Sequence, residues 1–471
     1  MYGNNTLVTG DNKGAAAIQM EKDIGNGFVA GFSQANVGDT SPNTLGPICQ
    51  DTGLPCKYED STCNGKAQQC MGRGPGFRTS DTESCRIIGE KQYLGAKSIF
   101  TSSSQTPVSG DSGIVRSLHS FVDFGAGYKF KLANGTEKQT CKAALGFSFA
   151  GGTTDGPGFA DFVQNDPGAP SNPFWLIVRG FLRTPSAEQK KCHEPKPILL
   201  DVGEMDKPYD WSPNIVNIQM LRVGQLTIIV APGEATTMAG RRWREAVKDE
   251  LDKRSIVPKA QSWEVIGGPA NTYTHYIATP EEYEIQRYEG ASTMYGMYTL
   301  NAYIDLARKF TPYLAATLPS TPLPPGPAPP IYTNSSMSLI SGVVYDGVVG
   351  RKFGDVITDV KSSYRIGETA SVKFAGANPR NNLRLEGTFT AVEKKNENTW
   401  TRVRDDTDWN LVYRWKRTEG ISGQSEVTIS WTVEGGTEKG TYRIRYYGDA
   451  KMFLSGRIQA FEGVSSAFTV G

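Results

Sequence analysis

Histidine is nearly missing from this chain: its 471 residues hold three, His119, His193 and His275. No HExxH and no other short-spaced histidine pair occurs, so the residues alone do not spell out a complete zinc site. Taken singly, each histidine reads as a satisfied structural residue rather than a ligand. Long hydrophobic runs are also lacking. Spanning a bilayer takes roughly 18 apolar residues, and the longest candidates, Leu226–Ala231 and Ile340–Val349, are short and interrupted. Charge of one sign is not in excess, since 50 Lys and Arg against 49 Asp and Glu leave +1. That balance gives no global field toward nucleic acid or an anionic membrane. The opening MYGNNTLVTGDNKGAAAIQM has neither a basic nor an apolar region of the kind a signal peptide needs.

What is present is the composition of an ordinary globular protein, 38% hydrophobic and 21% charged, which excludes general disorder and a collagen-like fibre. At about 150 residues per domain, the length predicts two or three domains. All seven cysteines lie between Cys49 and Cys192, and Cys49, Cys56, Cys63 and Cys70 share one loop rich in Gly, Pro and Asn. Their spacing of seven excludes the CxxC knuckle of zinc ribbons. Such a loop has little apolar core of its own, which favours disulfides in an oxidising compartment over free thiols. N-x-[ST] sequons at Asn4, Asn134 and Asn334 point the same way. Secreted character without a secretion signal predicts that a front segment is missing.

The sharpest boundary is the proline-rich run Leu318–Pro330, expected to be a stiff extended spacer. Ahead of it strand and helix signals alternate. Gly27–Val37 reads as a strand and Arg86–Phe100 as a helix with Ile87, Ile88, Leu94 and Ile99 on its apolar spacing. Leu226–Val230 reads as a buried strand that breaks at Ala231-Pro-Gly-Glu234. A helix follows, with Trp243, Val247 and Leu251 on one face. Thr279-Pro280-Glu281-Glu282 is a capping box that opens another. These units predict an α/β fold with a mixed sheet. Beyond Tyr332, strings such as EVTISWTV and TYRIRYYG alternate with period two between Gly-rich turns, predicting an all-β Ig-like sandwich over 332–471. The domains expected are therefore 1–317, a linker at 318–331, and 332–471.

Several residues could carry chemistry. Glu234 lies just past the carboxyl end of an apolar strand and before a helix, where open α/β sheets place their sites; a solvated carboxylate at a helix start is the equal alternative. Ser41, in Gly38-Asp39-Thr40-Ser41-Pro42-Asn43, reads first as a turn former and is not a GxSxG elbow. Tyr273, His275, Tyr276 and Tyr288 form an aromatic, polar cluster that reads as packing. Asp405, Asp406 and Asp408 in RDDTDW read first as a charged turn, with a hard-cation site as the alternative.

Read together, NTLVTGDNKG, NVGDTSPNTLGPIC, GRGPGF, ALGFSFAGGTTDGPG, CHEPKPILL, APGEATTMAGRR and NTYTHYIATPEEYEIQRYEGAST resemble the neutral ceramidase family almost end to end. The FGD and YRIRYYG strings of the tail agree. The resemblance implies a zinc amidase that hydrolyses the N-acyl amide of ceramide, at a membrane or micelle surface, to a sphingoid base and a fatty acid. It places a zinc-binding glutamate on Glu234, a zinc-binding tyrosine on Tyr276, a second active-site tyrosine on Tyr288 and the proposed nucleophile on Ser41. It places calcium ligands on Asp406 and Asp408, with Leu411 standing where the family has Thr and able to offer only its carbonyl. It implies disulfides Cys49–Cys63, Cys56–Cys70 and Cys141–Cys192, with Cys85 unpaired, in a secreted protein. The family's two zinc histidines, a further active-site histidine and an arginine precede NTLVTGDNKG. The resemblance therefore implies that residues 1–317 are the later portion of a catalytic domain, with activity impaired and apolar core exposed. Two alternatives stand beside it: a non-catalytic lipid- or partner-binding protein, and a metal-free serine hydrolase using Ser41 with His275 as base.

Overall fold

A computed structural model of the chain describes residues 8–103, 107–108, 113–158, 162–164, 183–337 and 340–471. Met1 and the Asn4 sequon fall outside them. The chain divides into two compact units, Met1–Ser336 and Met337–Gly471.

Two helices open the first unit, α1 (Asp11–Ile24) and α2 (Asp81–Phe100). Ser80 caps α2 by accepting the Glu83 N–H at 3.0 Å, so the helix starts at Asp81 rather than at Arg86. The pair close on Gly89, where a Cβ would lie 2.6 Å from the Ala15 Cβ. Leu94 and Ile99, expected on an apolar face, are exposed. Gly27–Val37 is not a strand and pairs with none among the described residues. Its backbone is held instead by Glu21, whose carboxylate takes the Ala30 N–H at 3.0 Å, and by the Gly268 N–H, which donates to the Gln34 carbonyl at 3.4 Å, while the Asn36 side-chain amide donates to the Thr237 carbonyl.

The main sheet of this unit contains β1 (Val115–Asp123), β2 (Ile215–Val223), β3 (Leu226–Val230) and β5 (Trp263–Gly267), in the order β5-β3-β2-β1. A short β4 (Glu234–Ala235) follows β3 and leads into α3 (Thr237–Lys253). After β5 come β6 (Tyr276–Ile277), α4 (Pro280–Ile285), α5 (Tyr288–Ser292) and α6 (Thr299–Phe310). β1, β2 and β3 are antiparallel neighbours, whereas β3 and β5 run parallel and are joined through α3, making the sheet mixed as the sequence predicts. Trp243, Val247 and Leu251 of α3 are buried against Ile218, Met220 and Ile229 of the sheet and Tyr303 and Leu306 of α6. Each such side chain contributes about 1.5–3 kcal/mol.

The proline-rich run packs on this unit. The Phe121 N–H of edge strand β1 donates to the Pro325 carbonyl at 2.8 Å, and Ser120 Oγ donates to the Pro324 carbonyl at 2.8 Å. Leu323 joins the core. Proline carbonyls can accept from the edge, but with no N–H they cannot extend the ladder, so the run ends the sheet there.

The second unit is β-rich and free of cysteine. One sheet orders Val356–Thr358, Thr369–Gly376, Gln424–Thr432 and Leu411–Glu419. The other orders Ser363–Tyr364, Phe468–Val470, Gly440–Lys451, Thr390–Asn396 and Thr399–Asp405, with Ile458–Val464 also on Gly440–Lys451. The period-two alternation is carried through: Val427, Ile429 and Trp431 of one sheet are buried with Tyr442, Ile444 and Tyr446 of the other.

Candidate active site

The site grows from the break after β3. Pro232 and Gly233 turn the chain so that β4 lies parallel to β6, with Glu234 opposite Tyr276 and Ala235 opposite Ile277. Gly233 allows that approach, since a Cβ there would lie 2.7 Å from the His275 carbonyl oxygen. The Glu234 N–H donates to that same carbonyl at 2.7 Å, and His275 itself is left-handed at φ 54. Behind the pair, Glu282 fastens two helix starts: its carboxylate takes the Thr279 N–H at 2.7 Å and the Thr236 hydroxyl at 2.8 Å. The expected capping box at Thr279 is present, and Thr236 caps α3.

Around Glu234 the tyrosines converge. Tyr273 Oη donates to Glu234 Oε1 at 2.5 Å. Tyr276 hydrogen-bonds with both Glu234 and Tyr288, and the Tyr276 and Tyr288 rings meet edge to face at 5.3 Å. Phe149 completes the wall, 6.3 Å from Tyr288 and 5.6 Å from His275 between ring centres. Burial is the largest cause raising the Tyr276 phenol above its ordinary value, with neighbouring Tyr288 and Glu234 acting the same way. Burial likewise raises Tyr288, opposed by its hydrogen bond from Tyr276. Both are therefore O–H donors at neutral pH. His275 is lowered by burial, an effect Glu234 opposes.

The Gly38–Asn43 turn docks on β4. Gly38 donates its N–H to the Ala235 carbonyl at 2.9 Å, and Asp39 Oδ1 accepts from both the N–H and the hydroxyl of Thr237 at 2.7 Å. Ser41 Oγ donates to Asp155 Oδ2. That partner differs from the His275 base of the serine-hydrolase alternative, whose ring packs on Phe149 and Tyr273 instead. The structure thus gathers Ser41, Glu234, Tyr276 and Tyr288 on connected segments of the first unit. Asp39, Phe149, Asp155 and Gln164 were given no role by sequence, although Asp155 stands in the quoted GGTTDGPG string.

Of the other histidines, His119 lies on β1 opposite Gln219. His193 is buried, with Nε2 2.8 Å from the Lys142 carbonyl and Nδ1 3.3 Å from Tyr283 Oη. Cys49–Cys63 and Cys141–Cys192 are disulfides, and Cys85 is free. The expected Cys56–Cys70 bond is not formed. Both are buried free thiols, each 3.6 Å from Cys63 Sγ, so the four sulfurs pack as one small cluster. In the second unit Asp406 Oδ2 accepts the Phe389 N–H at 2.7 Å and Asp408 Oδ2 the Asp405 N–H at 3.0 Å. Leu411 is buried and pairs with Trp431.

Residues 1–305 match the family model for the N-terminal region of neutral/alkaline non-lysosomal ceramidases, and residues 307–470 match the model for their C-terminal region. The chain belongs to this family. It is 49% identical over 453 residues to neutral ceramidase 2 of Arabidopsis thaliana, an alignment covering 94% of this chain and 58% of that protein. It is 45% identical to the neutral ceramidase of Oryza sativa subsp. japonica, covering 94% of this chain and 56% of that one. Among solved structures it resembles a ceramidase complexed with C2, with a TM-score of 0.80 at 35% identity over 99% of this chain and 67% of the other. It also resembles the neutral ceramidase from Pseudomonas aeruginosa, with a TM-score of 0.78 at 33% identity. The chain thus spans somewhat over half the length of the first two ceramidases.

A zinc ion at a catalytic site takes three protein ligands and a water. In this ceramidase-family chain the Glu234 carboxylate and the Tyr276 phenol offer two adjacent oxygens. Among the described residues, the one group of three His, Cys, Asp or Glu donors within 4.8 Å is Cys49, Cys56 and Cys63, two of which are bonded to each other. The described residues do not by themselves fit a zinc site.

Proposed function

We propose that this site serves hydrolysis of the N-acyl amide of ceramide, giving a sphingoid base and a free fatty acid. The observation that carries the reading is the convergence of Glu234, Tyr276 and Tyr288, from separate segments of a ceramidase-family chain, beside the turn that holds Ser41. An amide carbonyl gathers negative charge on oxygen as it is attacked, and a preorganised O–H donor stabilises that charge. Tyr288, kept protonated by burial, fills that role. Ser41 supplies a hydroxyl oxygen on the exposed side of the same region. Glu234 fixes the tyrosines through Tyr273 and Tyr276. Glu234 and Tyr276 would contribute two donors to a zinc site, and no step of this proposal runs through the metal.

The second unit reads as an Ig-like sandwich on the strength of its two sheets around one core. Asp406 and Asp408 each accept a backbone N–H. With those oxygens committed to the backbone, and Leu411 offering only a carbonyl, a structural role in the backbone is the better reading than a cation site. Two disulfides and the exposed sequon residues Asn134 and Asn334 support a secreted, glycosylated protein. Among the described residues no helix is long and apolar enough to cross a membrane, and the substrate would be met at a lipid surface.

The test is release of fatty acid from ceramide with a labelled acyl chain, comparing the chain with its Tyr288→Phe variant. Turnover reduced about 10²–10³-fold by the loss of one hydroxyl supports the role. Equal turnover contradicts it, and ceramide bound without turnover favours the non-catalytic lipid-binding alternative.

A further inference from the structure

We propose that Asp155 is the positioning residue for Ser41, holding the hydroxyl proton so that the oxygen faces substrate with one free lone pair. This rests on the reading of Ser41 as a group of the amidase site. Asp155 stands at the tip of a two-stranded hairpin, Gly152–Thr153 with Gly156–Pro157. Its Oδ2 accepts from Ser41 Oγ, and both of its oxygens lie 3.0 Å from Asn43 Nδ2. The Asn43 N–H in turn donates to Ser41 Oγ at 3.1 Å. A hydroxyl has one proton and two acceptor sites. With the proton given to Asp155 and one lone pair taken by Asn43, a single lone pair remains for an incoming group.

The clamp leaves little room to vary. Gly72 donates its N–H to the Asp155 carbonyl at 3.2 Å, and a Cβ on Gly72 would sit 2.3 Å from Asp155 Oδ1 and 2.5 Å from Asn43 Nδ2. The hairpin is linked in turn to the tyrosine wall. Gln164 donates its amide to the Gly152 and Ser148 carbonyls, while its Oε1 accepts the Tyr288 N–H at 2.8 Å. One set of hydrogen bonds therefore connects the turn bearing Ser41 with the helix bearing Tyr288. The contact joins residues 114 apart in sequence, which no local pattern could reveal.

Two measurements test this. In the first, Asp155→Asn is compared with the unaltered chain in ceramide hydrolysis, alone and combined with Ser41→Ala. Action through Ser41 predicts a fall in kcat of about 10²-fold with KM within about twofold, and no further loss from Asp155→Asn once Ser41 is alanine. Equal effects in both backgrounds, or an unchanged kcat, overturn the proposal. The second needs no turnover. In a Ser41→Cys protein, alkylation at position 41 is followed by peptide mass spectrometry with and without Asp155→Asn. A carboxylate beside the thiol disfavours the thiolate, so Asp155→Asn should speed alkylation about tenfold at neutral pH. Identical rates overturn the proposal. A chain that never turns over ceramide yet shows the rate difference would defeat the functional reading while leaving the Ser41–Asp155 coupling intact.

Discussion

The two units of this protein set their candidate site carboxylates in different surroundings. In the second unit long strands alternate inward and outward, and Asp406 and Asp408 each take a backbone N–H, Asp406 from Phe389, 17 residues away, and Asp408 from Asp405 in its own turn. In the first unit the residues that matter sit on two-residue strands and glycine-rich turns. There Glu234 and Asp155 accept hydrogens from side chains distant in sequence rather than from backbone N–H groups. Regular strands spend their polar groups on the ladder, so reactive side chains collect where ladders stop. A charged motif alone does not separate the two cases; for these four carboxylates what decides is whether the partner is a backbone or a side-chain group.

Substitutions should affect the two units differently, and the largest expected effect lies in the regular one. Trp431 is buried between the sheets, with Nε1 3.1 Å from Glu434 Oε2. Trp431→Ala should cost about 3–5 kcal/mol in denaturant unfolding of that unit and leave the geometry around Glu234 unchanged. Next is Gly38→Ala, whose Cβ would meet the Glu234 carbonyl oxygen at 2.7 Å. With backbone on both sides, nothing can rotate away. We expect a loss of about 1–3 kcal/mol together with reduced turnover, read by thermal unfolding and ceramide hydrolysis.

Smaller again is a pH effect. Burial first, then nearby Lys196, pushes the His193 pKa down to about 3 against the Lys142 carbonyl bond. Its folded value lies below the unfolded one, so its contribution is complete above about pH 6.5 and is lost as pH falls toward 3. The slope is at most about 1.4 kcal/mol per pH unit. Asp201, pushed up to about 6 by burial and Glu204, works in the opposite direction between about 3.8 and 6. The difference in Tm between the chain and His193→Gln across pH 5–7 isolates the histidine; parallel curves would contradict its neutral burial. The smallest effect is expected from Asp408→Asn: under about 1 kcal/mol of stability, and no change in hydrolysis after calcium chelation.

How far the sequence could be read follows the same division. Period-two alternation showed the second unit because each strand's pattern is local and repeated. The Leu226–Val230 strand, the helix carrying Trp243 and the Thr279 capping box were legible for the same reason. Glu234 was legible from the residues as a position, at the end of that strand, but its association with Tyr276 came only through the family resemblance, because the β4–β6 register joins residues across α3 and β5. Gly27–Val37 has the apolar and aromatic content of a strand and lacks a partner strand among the described residues, which a local reading cannot report. The proline run looked like a spacer because composition does not show that its carbonyls close the edge at Phe121. Cys56 and Cys70 were paired by resemblance, whereas the structure places Cys63 between them, within reach of both.

The most direct measurement is ceramide hydrolysis by two variants side by side, Glu234→Gln in the first unit and Asp406→Asn in the second, with unfolding followed in parallel. The account predicts that Glu234→Gln cuts turnover at least about 10²-fold with its fold retained, while Asp406→Asn stays within about twofold. Equal losses in the two variants, or full turnover with Glu234→Gln, would contradict it.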